Sequence, residues 1–276
     1  MRSIAVADVQ IPTLGFGTWM LTGEACAPMV AEAIGAGYRH VDTAAIYENE
    51  REVGEGIRAS GVLRDQIFLT TKVWNDAHRE DDFRRSAEAS LKRLGVDYVD
   101  LLLIHWPVEE VPLEETIRAL CRAKRDGLTR AIGISNFTVQ HIEEAVRLTT
   151  EPIATNQVEY HPYLSQKPVL EALRRHGVSL TAYSPLARGR VAQDPAIAEI
   201  AARHGKTPGQ VTLRWLVQQG DVIAIPKTAT PARARENLAI HDFELSPQEM
   251  ERLHGLAVPD GRMIKPSFGP DWDDRP

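Results

Sequence analysis

The chain is expected to fold as an α/β protein, a single (β/α)8 barrel, on three observations. Eight β-rich runs begin near Ile11, Arg39, Ile67, Tyr98, Arg130, Ile153, Val178 and Asp221, and most lead into an amphipathic helical stretch. Their spacing, roughly 24 to 32 residues with a last interval of about 43, matches one βα unit and not a repeat built only of helices. The length, 276 residues, suits one such barrel.

Residues 1–10 read as a short β element closing the bottom of the barrel, and the run at Ile11 as the first barrel strand. Gly15-Phe16-Gly17 follows it, but Met20 stands where a dinucleotide fingerprint needs glycine. The second run ends at Asp42 and leads to Tyr47. Gly54-Glu55-Gly56-Ile57-Arg58-Ala59 matches G-x-G-x-x-A in form only, because it lies inside a helical pattern. The later runs end at Lys72, at His105, at Ser135-Asn136, at Asn156-Gln157-Val158-Glu159, at Tyr183-Ser184 and at Pro226-Lys227-Thr228. Gly61, Gly127 and Gly177 stand where helix C-termini are expected.

The long last interval should hold an extra loop and short helix around Arg188–His204. Thr207-Pro208-Gly209-Gln210 and Ser246-Pro247-Gln248-Glu249 each carry an N-cap, a first-turn proline and a residue able to close a capping box. Thr230-Pro231-Ala232-Arg233 opens another helix but puts a cation in its first turn, against the helix dipole. No linker or charge block divides the chain. One domain is expected over residues 1–276, with an irregular tail from about 258 that carries Trp272.

Acidic side chains number 38 against 32 Lys and Arg, a formal net charge of −6. That balance, with 43% hydrophobic residues, excludes a disordered chain and disfavours nucleic acid or an anionic membrane as partner. Cys26 and Cys121 are too few for a disulfide scaffold or a multi-cysteine zinc site and suit a reducing compartment. The nine histidines are dispersed and H-E-x-x-H is missing, so no metal is expected. Asp8 interrupts any apolar leader, and runs such as Leu101–Ile104 are strand-sized. A soluble, cytoplasmic monomer acting on a small molecule is the expectation.

In a parallel barrel, chemistry gathers at the C-terminal ends of the strands, and here nearly every strand ends in a polar group. Asp42, Tyr47, Lys72 and His105 make a coherent set. A phenol is a weak acid at neutral pH; a nearby ammonium would favour the phenolate and so lower its pKa. Aspartate would hold the lysine, and a neutral imidazole could orient a carbonyl oxygen. Together they could protonate an oxygen that gains charge as a hydride reaches the adjacent carbon. At the other end, Lys227, Thr228 and Arg233 converge on a helix N-terminus where this fold commonly binds phosphate.

These residues resemble the aldo-keto reductase family closely. The matching stretches are Gly35–Tyr47, Thr71–Trp74, Leu103–Pro107, Gly133–Phe137, Asn156–Pro162 and Ile225–Lys227. Gly261–Ile264 and Pro270–Trp272 are similar to the bacterial 2,5-diketo-D-gluconate and methylglyoxal reductases. The resemblance implies a TIM barrel that reduces aldehydes and ketones of small polar carbonyls with NADP(H). Tyr47 would be the general acid, supported by Asp42, Lys72 and His105. Ser135, Asn136 and Gln157 would hold the nicotinamide carboxamide, with Tyr183 stacked on its ring beside Ser184. Leu186, Lys227, Thr228, Arg233, Glu236 and Asn237 would line the pyrophosphate and adenosine end, and Trp19, Trp74 and Trp106 the substrate pocket. A cofactor-binding subunit without turnover is the alternative on the same fold. A barrel isomerase or aldolase using Lys72 as a Schiff base is a weaker one, because Asp42 would keep that lysine charged.

Overall fold

The computed structural model describes residues 2–273; Met1 and the last three positions of the expected irregular tail lie outside the described residues. The chain opens with an antiparallel hairpin, β1 (Ser3–Val6) and β2 (Val9–Pro12). Eight parallel strands follow: β3 (Phe16–Gly17), β4 (His40–Asp42), β5 (Phe68–Val73), β6 (Val99–Ile104), β7 (Thr129–Ser135), β8 (Ile153–Glu159), β9 (Ser179–Tyr183) and β10 (Val222–Ala224). They pair in sequence order. A parallel bridge from Leu14 to Ala224 joins the two edges, with Gly15 N–H donating to the Ala224 carbonyl at 2.8 Å and Gly17 N–H to that of Pro226 at 3.1 Å. The sheet is therefore closed, as the strand count implied.

Helices α1 (Cys26–Ala36), α2 (Glu50–Ala59), α3 (Glu80–Leu94), α4 (Leu113–Arg125), α5 (Val139–Leu148) and α6 (Lys167–Arg175) alternate with the strands. Between β9 and β10 the chain makes a 3-10 segment (Ala187–Gln193), then α7 (Pro195–His204) and α8 (Pro208–Val217). The long interval thus holds the expected extra helix. After β10 come α9 (Pro231–Leu238), α10 (Pro247–His254) and a tail without regular structure.

The run at Ile11 is placed differently from expectation. It belongs to the hairpin, and the first barrel strand begins at Phe16. The physical reason lies in the interior. Val6 and Ile11 pack with Phe68, Leu101, Leu103, Ala131, Ala154, Ile223 and Ile225 in a core inside the barrel, so Ile11 plugs the bottom. A second, larger core fills the layer between sheet and helices.

The helix ends follow their sequence signals. Thr207 with Gln210 and Ser246 with Glu249 form reciprocal capping boxes, and Gly61, Gly127 and Gly177 take φ values of +70°, +78° and +64° just past α2, α4 and α6. The G-x-G pair in α2 serves packing, not phosphate. A Cβ on Gly54 would lie 2.0 Å from the Leu94 carbonyl oxygen, and one on Gly56 would lie 2.5 Å from that of Ala27. Glycine is what lets α2 touch the end of α3 and the start of α1.

Gly54→Ala should therefore destabilise the fold by about 1–3 kcal/mol, an overpacking cost. Gly35→Ala, where a Cβ meets nothing within 4 Å, should be neutral or stabilising by up to about 1 kcal/mol. Urea midpoints of the two variants check this; equal midpoints would remove close helix contact as the reason for Gly54.

Candidate active site

The β4–β5 register puts Asp42 opposite Thr70, so Lys72 stands one pleat higher on the same face, over the barrel mouth. Lys72 and Asp42 are both buried. Lys72 Nζ donates to Asp42 Oδ1 at 2.5 Å, to the Thr43 carbonyl at 2.8 Å and to Tyr47 Oη at 3.4 Å. The other Asp42 oxygen accepts from Gln157 Nε2 at 2.7 Å. Tyr47 is half-buried at the end of a 3-10 turn (Ala45–Tyr47), its ring edge-on to His105 with centroids 5.8 Å apart. Three strand ends, at Asp42, Lys72 and His105, thus meet at the Tyr47 phenol, and a fourth, at Gln157, reaches Asp42.

The electrostatics correct one expectation. Lys72 was expected to lower the Tyr47 pKa, yet the phenol is pushed well above its ordinary value, by burial first and by the Asp42 charge second. The lysine's charge is offset by the aspartate against it, leaving desolvation to dominate. Burial also draws Lys72 down, opposed by Asp42 and Glu50. His105 is held well below its ordinary value by burial, Lys72 and His78, so the imidazole is neutral at physiological pH, as expected. A phenol that keeps its proton until negative charge appears beside it is suited to donate that proton.

The cluster lies at the foot of a cleft of about 1010 Å³. Asn136, Gln157, Tyr183, Ser184 and Leu186 line it, as do Lys227, Thr228, Arg233, Glu236 and Asn237. Ser135 does not; its Oγ donates to the Gln157 carbonyl at 2.8 Å behind the wall. Asn136, at φ +64°, donates from Nδ2 to the His105 carbonyl at 3.0 Å and accepts from the Tyr183 hydroxyl at 2.8 Å. Gln157 therefore has a role that sequence reasoning missed: it braces Asp42. The signal was its place in the same polar strand end as Asn156.

The far limb is cationic and open. Thr230 occupies the N-cap of α9 without a side-chain bond to it, unlike the boxes on α8 and α10. Lys227 and Arg233 are exposed in the cleft, and neither has an ion-pair partner among the described residues. Glu236 accepts from Thr207 Oγ1 at 2.7 Å and so ties α9 to α8. The start of α9 thus combines amides without a side-chain cap with a lysine and an arginine that have no carboxylate partner among the described residues, which leaves positive charge facing the cleft.

At the other limb Trp19, Trp74 and Trp106 wall the cleft together with Ile46. The tail adds Ile264, Pro266 and Phe268, which sequence reasoning missed. Phe268 lies edge-on to Trp74 and Trp106, with centroids 5.8 and 5.4 Å away. The apolar residues in an otherwise polar, proline-rich tail were the available signal. Trp272, whose role the sequence left open, packs on Trp106 at 5.9 Å, outside the cleft lining. Among the described residues no group of His, Cys, Asp and Glu could hold a metal ion.

Residues 13–257 match the pattern of the aldo/keto reductase family. Methylglyoxal reductase DkgB of Escherichia coli O157:H7 is 41% identical over 267 residues, covering 95% of this chain and 99% of the relative. A crystal structure of a protein assigned as a 2,5-diketo-D-gluconic acid reductase B superimposes with a TM-score of 0.97 at 52% identity, over 99% of this chain and 98% of that one. An aldo-keto reductase of Bombyx mori, solved in complex with NADP, gives 0.90 at 32% identity, over 100% and 98% of the two chains.

Three buried imidazoles, only one of them in the cleft, carry a stability consequence. Burial is the main cause that lowers His40, His78 (to about 4) and His105. Below the unfolded value near 6.5 the unfolded chain takes up protons that the native one refuses. Stability should fall as pH drops from about 6.5, each histidine contributing up to about 1.4 kcal/mol per pH unit until its folded pKa is reached. Urea unfolding from pH 7.5 to 5 measures the slope; a flat profile would show these imidazoles protonated in the fold.

Proposed function

Because the chain belongs to the aldo/keto reductase family, we propose that it reduces aldehyde and ketone groups of small polar carbonyls to alcohols with NADPH, Tyr47 serving as general acid. The observation that carries this reading is the buried chain from Gln157 through Asp42 and Lys72 to the Tyr47 hydroxyl, set at the foot of the cleft. Substrates of the methylglyoxal or 2,5-diketo-D-gluconate kind are favoured by the relatives of those names.

The residues fit a phosphorylated dinucleotide. Lys227, Thr228, Arg233 and the uncapped start of α9 would take its phosphates; Glu236, Asn237 and Leu186 would line the adenosine end. Asn136, Gln157 and Tyr183, with Ser135 behind them, would meet the nicotinamide. When bound, the cofactor supplies the hydride.

The rest of the chemistry belongs to the chain. A carbonyl between Tyr47 and His105 gains negative charge on oxygen during reduction. The Tyr47 hydroxyl delivers its proton to that oxygen. The phenolate left behind is stabilised by the Lys72 ammonium, 3.4 Å from Oη, and Asp42 and Gln157 keep that ammonium in place. Neutral His105 orients the oxygen without adding a competing proton. The tryptophan walls exclude water, so the Lys72 field acts at short range and low dielectric.

Tyr47→Phe removes one hydroxyl and little packing. The kcat of methylglyoxal reduction, followed by NADPH oxidation, should fall about 10²- to 10⁴-fold while the NADPH Kd, read by fluorescence titration, stays unchanged. Activity within about threefold of wild type would take the proton-donor role from Tyr47.

Arg233 is the residue placed to read the phosphate that distinguishes NADPH from NADH. A charge-assisted contact is worth roughly 1.5–3 kcal/mol, so Arg233→Ala should raise the NADPH Kd about 10- to 150-fold. NADH affinity should barely move. Equal losses for both cofactors would place that contact elsewhere.

A further inference from the structure

Ahead of Phe268, the tail is gripped by a buried carboxylate of the barrel. Glu159, the last residue of β8, is fully buried. Its Oε1 accepts from the Met263 backbone N–H at 2.7 Å and from His161 Nε2 at 2.8 Å, and its Oε2 accepts from the Ile264 N–H at 2.8 Å. A buried anion is costly unless several donors converge on it, and two of these three come from a segment with no regular structure. Burial alone would push this carboxyl up, yet His161 and the two amides bring it below the ordinary range.

A second contact holds the same segment. A Cβ on Gly261 would lie 1.7 Å from the Tyr163 carbonyl oxygen, so the tail packs backbone against backbone there. The Val258 N–H donates to that carbonyl at 3.1 Å. Just beyond the clamp, Ile264, Pro266 and Phe268 turn into the cleft. Phe268 lies in no helix or strand, only in a turn closed by the Gly269 N–H on the Pro266 carbonyl at 3.0 Å, and is 49% exposed. Its position against Trp74 and Trp106 therefore depends on where the tail is held on either side of it. The clamp holds the chain before it, and Asp273, which accepts from the Val139 N–H at 2.7 Å, holds it after.

We propose that Glu159 is a specificity-determining positioning residue: its carboxylate, by gripping the Met263 and Ile264 amides, sets Phe268 as the outer wall of the substrate pocket. The carboxylate does not line the cleft and acts on Phe268 through the tail; its charge is also felt by the Tyr183 hydroxyl, a separate effect that would appear in cofactor binding. The proposal rests on the carbonyl-reductase reading for its kinetic consequence, but not for the clamp itself. Glu159→Gln keeps shape and one acceptor oxygen while turning an N–H donor toward the tail amides. The substrates it should affect are those large enough to reach Phe268, such as aryl aldehydes. Methylglyoxal can be held by Tyr47, His105 and Trp74 alone.

Two readouts test this in the full-length enzyme. Hydrogen exchange of the Met263 and Ile264 amides should accelerate at least about 10-fold in Glu159→Gln, with the β8 amides unchanged. The KM for benzaldehyde should rise about 10-fold, while kcat for methylglyoxal and the NADPH Kd stay within about twofold. Phe268→Ala should give the same KM rise, and the double variant no further one, because both remove one wall. Should Glu159→Gln fail to fold, Gly261→Ala breaks the same docking from the other side and must reproduce the KM split. Protected amides in Glu159→Gln, additive KM effects, or kcat and cofactor binding falling together with KM would each overturn the proposal. If the wild-type protein reduces no carbonyl, the functional reading fails, and hydrogen exchange still decides the clamp.

Discussion

An ammonium with no access to water must be surrounded by groups that accept its charge, and Lys72 imposes that requirement on the mouth of this barrel. Asp42 supplies the opposite charge and the Thr43 carbonyl a second acceptor. The third direction is left to the phenol of Tyr47. Asp42 is itself buried and needs a donor on its second oxygen, which Gln157 brings from across the barrel. Behind the lysine, the Glu50 carboxylate is held by Thr71 and Arg93 and adds negative potential to the same spot. The result is a rigid polar column between strands, ending at a hydroxyl whose environment favours the neutral acid until charge appears beside it. Removing Asp42 or Lys72 would strand the other's charge in a dry interior, so this pair, on neighbouring strands, holds the column's geometry.

The two limbs of the cleft are built on opposite principles. The limb under Trp74 and Trp106 is apolar, and its outer wall comes from the tail. The limb over α9 leaves electrostatic needs open. α5, α8 and α10 satisfy their first amides with a side chain from their own N-cap, whereas α9 does not and adds Arg233 to its first turn. A helix start left so against its dipole is stabilised by an anion from outside. One cleft thus offers a dry wall at the reacting end and fixed positive charge at the other, the division that a long, partly charged ligand requires.

Most of this was legible in the residues. The βα period, the capping boxes and the polar strand ends each have a local cause, and local causes survive folding. Ile11 was misplaced because a strand run looks the same in a plugging hairpin as in a barrel wall; only the interior contacts with Phe68 and Leu101 distinguish them. The direction of the Tyr47 shift was missed because adjacency to Lys72 is visible in a motif, whereas desolvation and the offsetting distance to Asp42 are not. Phe268 and Glu159 escaped for a related reason. Their partnership joins the end of β8 to a segment about a hundred positions later, and no periodicity signals it.

The barrel has a seam. Its closing strand β3 is two residues long, and the Leu14–Ala224 bridge joins segments from near opposite ends of the sequence. Contacts of such separation carry more loop-closure entropy than the pairing of strands adjacent in sequence, so closing the two lips is the more costly step of building the sheet. Both lips also line the cleft: Gly17 and Thr18 on one side, Ile225 to Thr228 on the other. A ligand lying across them recognises the closed cylinder alone. The binding free energy of any such ligand would add to closure by mass action, making it the last staple of the fold.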